Sequence, residues 1–88
     1  MKRGKIDIIK DILEILRVNH GQMNYTPLLR ATNLSSSRFS EYFAEILEKG
    51  FVAEKREGKS RVVCLKSKGR EYLEKYRAIV GFIEEFDL

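Results

Sequence analysis

Between Gly50 and Ser67 the hydrophobic period of this chain changes, and the change limits what it can fold into. Upstream, apolar residues recur three and four apart: Ile6, Ile9, Ile12, Leu13 and Leu16, then Phe39, Tyr42, Phe43, Ile46 and Leu47. From Phe51 to Arg56 and from Arg61 to Leu65 the period falls towards 2, with Glu57-Gly58-Lys59-Ser60 between the two runs as a glycine-containing turn. Helical spacing then returns, with Tyr72, Tyr76, Ile79, Ile83 and Phe86 separated by 4, 3, 4 and 3 residues, a coiled-coil seam of two heptads. A β-hairpin is therefore expected between helices.

Capping chemistry places the other boundaries. A first helix over 5–18 stops at His20-Gly21, where glycine can take a left-handed cap. Thr26-Pro27 reads as an N-cap followed by proline at the first helical position, opening a short helix over 26–32 with Leu28, Leu29 and Ala31 as its apolar residues. Asn33 tolerates positive φ, Leu34 can plug the core from the turn, and Ser35 or Ser36 can cap a third helix over 36–49, ended by Lys49-Gly50. Ser67 is expected to cap a final helix over 67–86.

Two short helices joined by a tight turn, the second followed at once by a hairpin, make the winged helix-turn-helix arrangement. The expected class is α+β, mostly helical, with three helices, a β-hairpin wing and a long C-terminal helix. Residues 1–66 form the winged domain and 67–88 a dimerisation helix. In this arrangement the apolar face of the third helix builds the core while its polar face enters a major groove about 12 Å wide. Ser36, Ser37, Arg38, Ser40 and Glu41 are the candidates for base edges. Lys55, Arg56, Lys59, Ser60 and Arg61 of the wing are the candidates for the DNA backbone, against the plainer reading of a solvated hairpin.

Charge segregation supports a polyanion-facing end. The chain carries a net +4, but residues 55–70 hold seven cations against Glu57, a net of +6, while residues 71–88 net −3. Residues 1–10 net +3, and Lys2, Arg3 and Lys5 there read as a frayed terminus or as an arm that touches DNA.

The runs Thr26-Pro27-Leu28-Leu29, Asn33-Leu34-Ser35, Tyr42-Phe43, Ile46-Leu47 and Gly50-Phe51-Val52 carry a family resemblance, as does Leu65-Lys66-Ser67-Lys68-Gly69-Arg70-Glu71-Tyr72-Leu73. Over about residues 5–86 the chain resembles small archaeal winged helix-turn-helix DNA-binding proteins whose long last helix pairs as an antiparallel coiled coil. The resemblance implies binding of double-stranded DNA, as a transcriptional regulator or a chromatin-associated protein, together with homodimerisation, no cofactor and no catalysis. Two positions depart from the pattern. Ser36 stands where relatives often place an aromatic, and the exposed face of the third helix carries Glu41, Glu45 and Glu48 with Arg38 its one cation. That acidic face favours an alternative reading, a winged-helix protein-interaction module without DNA binding.

A 20-residue helix is about 30 Å long, further than so small a domain can cover. Tyr76, Ile79, Val80, Phe82, Ile83 and Phe86 are therefore the candidate dimer interface, the alternative being a last helix folded back over the first. Pairing would also help a chain of 88 residues that buries only about 60% of its unfolded surface. One cysteine, Cys64, excludes an internal disulfide and fits a reducing compartment. No apolar run approaches the roughly 20 residues of a membrane span, and the charged N-terminus leads into an amphipathic pattern, so a cytoplasmic, nucleoid-associated protein is expected. His20 lacks a second metal ligand nearby, no nucleophile–base pair or phosphate loop is present, and no small-molecule ligand is evident, so neither metal nor enzyme chemistry is expected.

Overall fold

The computed structural model describes residues 4–88, so Lys2 and Arg3 of the charged N-terminal segment lie outside the described residues. The first helix, α1 (Lys5–Val18), begins with Asp7 reaching back to the Gly4 N–H at 3.4 Å. Its apolar stripe buries Ile8, Ile9, Ile12, Leu13 and Leu16, whereas Ile6 lies off the stripe and stays exposed. The helix closes through a left-handed pair, His20 at φ 66° and Gly21 at φ 87°, whose Gly21 N–H donates to the Leu16 carbonyl at 2.8 Å.

A short strand that the sequence pattern does not announce follows, β1 (Gln22–Asn24). The next helix, α2 (Tyr25–Thr32), has Asn24 as its N-cap, so Thr26 is not the cap and Pro27 is not the first helical residue. Proline is tolerated there because the first-turn N–H groups have no intrahelical partner. At the other end the Thr32 hydroxyl donates to the Leu29 carbonyl at 2.7 Å and accepts from the Leu34 N–H at 3.3 Å, and Asn33 takes φ 59°. Ser35, rather than Ser36, caps α3 (Ser36–Glu48), its hydroxyl accepting from the Arg38 N–H at 3.3 Å.

The hairpin strands are β2 (Val52–Glu57), one residue further along than the period suggests, and β3 (Ser60–Leu65), one residue longer, so the turn shrinks to Gly58-Lys59. A two-residue hairpin turn needs positive φ, which Gly58 supplies at 62°. Because β1 pairs antiparallel with β3, Gln22 opposite Cys64 and Asn24 opposite Val62, the wing is part of a three-stranded sheet of order β1-β3-β2. The last helix, α4 (Ser67–Glu85), has Lys66 at the N-cap position, and Ser67 is its first helical residue rather than its cap.

One core joins these elements. Ile12, Leu13 and Leu16 of α1 pack with Leu28, with Phe39 and Ile46 of α3, with Val63 of β3 and with Leu73 of α4. Each such side chain fully removed from water contributes about 1.5–3 kcal/mol. The near half of α4 is fastened to this core: the Tyr72 hydroxyl donates to the Ile6 carbonyl and the Tyr76 hydroxyl to Asp7 Oδ1, both at 2.7 Å. Burial raises the Tyr72 phenol to about 12, and the hydrogen bond to Asp7 raises that of Tyr76. The far half has no such cover: Ile79, Phe82, Ile83 and Phe86 are 43–60% exposed. Its other side still runs along α1, where Arg77 lies 3.7 Å from Glu14 and Val80, Gly81 and Glu84 line a groove with Lys10 and Glu14. The molecule measures 49 Å in its longest dimension.

Candidate nucleic-acid interface

At the N-terminal end of α3, the Ser35 cap leaves Ser36, Ser37, Arg38, Ser40 and Glu41 all exposed, while Phe39 and Phe43 hold the opposite face in the core. The acidic character of this helix is smaller than its sequence indicates, because Glu45 is half-buried and ion-paired with Lys5 of α1. Glu41 and Glu48 remain on the open side. Lys5 is thereby placed on α1 as Glu45's partner.

The wing lies beside this helix because α3 and β2 run back along each other from the turn at Lys49-Gly50-Phe51. Tyr25 fixes the spacing between them. Its ring meets Phe39 and Phe43 of α3 edge-on, at 5.2 and 5.1 Å between centroids, and the Arg61 guanidinium of β3 stacks over it at 3.8 Å. Arg61 is also in a close ion pair with Glu54 on the neighbouring strand, a hydrogen bond that raises its pKa further, and it lies 5.9 Å from the Phe43 ring. A cation held against an aromatic face in this way contributes about 0.5–1 kcal/mol at an exposed site. Arg61 is therefore a brace between the wing and the core. Tyr25, the aromatic part of the brace, carries no local sequence signal, since its contact with Arg61 spans 36 residues of chain, whereas Glu54 meets Arg61 across the hairpin, seven residues away.

The remaining wing cations differ in freedom. Lys55 is paired with Glu57 at 3.0 Å, the main reason its pKa is raised. Arg56 and Lys59 are exposed, and among the described residues neither has a carboxylate partner. Lys59, Ser60 and Arg61 face the start of α2 across a notch of about 460 Å³ that Asn24, Tyr25, Thr26 and Pro27 also line.

The structure does not bring all seven cations of residues 55–70 together. Strand β3 carries Arg61 towards the wing tip and delivers Lys66, Lys68 and Arg70 to the other end of the sheet, so the charge block is divided. Among the dimer candidates, Ile79, Phe82, Ile83 and Phe86 are exposed, Val80 is half-buried, and Tyr76 spends its hydroxyl within the chain on Asp7. Cys64 is half-buried on the sheet opposite Gln22. Among the described residues no three His, Cys, Asp or Glu side chains converge to hold a metal, and no helix is long and apolar enough to cross a membrane.

The backbone arrangement recurs in solved structures. Sso10a-2, a DNA-binding protein from Sulfolobus solfataricus, is similar at a TM-score of 0.78 and 18% identity, over 96% of this chain and 85% of that one. F93 from STIV, a winged-helix DNA-binding protein, is similar at 0.77 and 16% identity, over 90% of this chain and 91% of that one. The PcaV transcriptional regulator from Streptomyces coelicolor gives 0.76 and 13% identity, over 90% of this chain but 60% of that one. At such identities the likeness is one of fold. No curated protein sequence matches the chain. The winged helix-turn-helix family profile matches residues 2–83, nearly the whole length, and with the element order and hairpin wing it establishes that this chain belongs to the winged helix-turn-helix family.

Proposed function

We propose that the chain binds double-stranded DNA, with the N-terminal half of α3 in the major groove and the wing on the sugar-phosphate backbone. The observation that carries this reading is the braced pairing of two exposed surfaces. Ser36, Ser37, Arg38, Ser40 and Glu41 stand on a helix narrow enough for the groove, and Arg56 and Lys59 stand on a ribbon held beside it by Arg61 and Tyr25. Arg38 is the one cation on that part of α3, so phosphate contacts from the wing supply most of the attraction and base contacts a smaller share. Sso10a-2 and F93, both described as DNA-binding, support the assignment by fold. A general role in coating DNA, as on a nucleoid, suits this balance better than tight operator recognition.

The exposed apolar side of α4 supports pairing with a second copy. Ile79, Ile83 and Phe86 continue the seam that Tyr72 and Tyr76 begin, in the segment 67–88 that would serve as a dimerisation arm on the winged domain of 1–66. A large exposed apolar patch favours association. The reading as a protein-interaction module rests on Glu41 and Glu48 alone once Glu45 is paired with Lys5.

The test is a salt titration of binding to random duplex DNA with the unaltered chain and with Arg56→Gln/Lys59→Gln. DNA binding predicts micromolar affinity at low salt and a log–log salt slope that is shallower by about 1.8 in the double variant, 0.9 for each lost contact. Equal slopes, or no binding at low salt, would reject the assignment.

A further inference from the structure

The division of the basic block leaves a second group of cations that the wing does not use. The backbones of Lys49 and Lys66 and the ammonium of Lys68 lie close to Phe51. Lys49 precedes it by two residues, the Lys66 N–H donates to its carbonyl at 3.0 Å, and the Lys68 ammonium lies 5.8 Å from its ring centre. Arg70 stands one turn further along α4 and lays its guanidinium against Gly21, within 2.8 Å of where a Cβ would be. All four cations are exposed, and among the described residues none is ion-paired. The acids at the edges of the group are Glu48 and Glu71, and Glu71 lies 3.9 Å from Lys75. The first turn of α4 holds no acid to offset its cations.

The position of this group decides what it can serve. A helix of 13 residues and a strand of six both span roughly 20 Å, and α3 and β2 meet at this pole. DNA held at the far ends of α3 and the wing is therefore roughly 20 Å from Lys49 and Lys66, more than two Debye lengths at about 8 Å each in physiological salt. These cations add little to the binding of that duplex. Four open cations with no enclosing walls suit a polyanion of closely spaced charge, such as duplex DNA at one charge per about 1.7 Å of axis.

We propose that the pole formed by Lys49, Lys66, Lys68 and Arg70 is a second duplex-backbone site, so that one chain can hold two DNA segments at opposite ends. The site goes beyond the wing-and-helix reading and can be tested separately from it. The experiment titrates a short random duplex into the full chain at low salt by calorimetry, with Lys49→Gln/Lys66→Gln/Lys68→Gln as one variant and Arg38→Gln/Arg56→Gln/Lys59→Gln as the other. Arg70 is left in place because it packs on Gly21, and thermal melts confirm that both variants fold. The expected result is two phases in the unaltered chain, the weaker lost in the pole variant and the tighter kept within twofold. A single phase in the unaltered chain that the pole variant leaves intact overturns the proposal while the wing reading stands. A single phase lost in the pole variant and kept in the wing variant leaves the pole as the one site, and overturns both the two-segment proposal and the wing reading.

Discussion

Replacing Gly69 by alanine tests how α4 is seated, and the structure gives both the sign and the size. A Cβ built on Gly69 would lie 2.4 Å from the Phe51 carbonyl oxygen and 2.7 Å from Leu65 Cδ1. The oxygen cannot yield freely, since it accepts the Lys66 N–H at 3.0 Å where the chain turns into α4. Overpacking of this kind costs about 1–3 kcal/mol, and weakening the hydrogen bond adds about 0.5–1.5 kcal/mol. The better helix propensity of alanine returns up to about 1 kcal/mol. The net is a loss of about 1–3 kcal/mol, or about 5–20 °C in Tm for a domain of this size. Gly81 provides the internal comparison. It lies in the same helix with nothing within 4 Å of its would-be Cβ, and in the heptad it points away from the seam. Gly81→Ala should therefore raise Tm by about 2–8 °C through propensity alone. Melts followed by circular dichroism at one protein concentration read both. A Gly69→Ala chain as stable as its parent would refute the close approach of α4 to Phe51.

Three further outcomes follow from local geometry. Ser35→Ala should cost about 1 kcal/mol by removing the cap on the Arg38 N–H, and Ser36→Ala much less, as denaturant midpoints would report. The raised phenols of Tyr72 and Tyr76 mean that protons are held more tightly in the folded chain than in the unfolded one. Stability is then full below pH 10 and falls as pH rises towards about 12, a decline that a pH series of melts should find reduced in Tyr72→Phe. On the proposed pairing through α4, the unaltered chain should sediment above its 10.3 kDa monomer mass and Ile83→Glu at it, at the same concentration.

The parts of this fold that were legible in the sequence are those written in local periodicity. The stripe of α1, the buried face of α3, the hairpin after Gly50 and the long α4 all repeat at short spacing, and each is found within a few residues of its expected limits. β1 has no such pattern, because its three residues Gln22, Met23 and Asn24 hold their strand through the β3 ladder rather than by propensity. The start of α2 was misplaced because Thr26-Pro27 carries a strong local signal, while tertiary packing of Tyr25 against Phe39 and Phe43 draws the helix back to Tyr25. The candidate interface was legible as a set of residue types but not as a set of roles. That Arg61 is braced by Tyr25, that Glu45 turns to Lys5, and that Lys66, Lys68 and Arg70 stand apart from the wing are consequences of long-range placement.

The most direct measurement of the central claim is a map of backbone amide shifts as duplex DNA is added to the folded chain. If α3 and the wing hold the duplex, the shifts saturating first fall on Ser36–Glu41 of α3 and Arg56–Ser60 of the wing, with the far half of α4 unmoved. First shifts confined to α4 or to the α1 face, with the helix and ribbon silent, would contradict that claim.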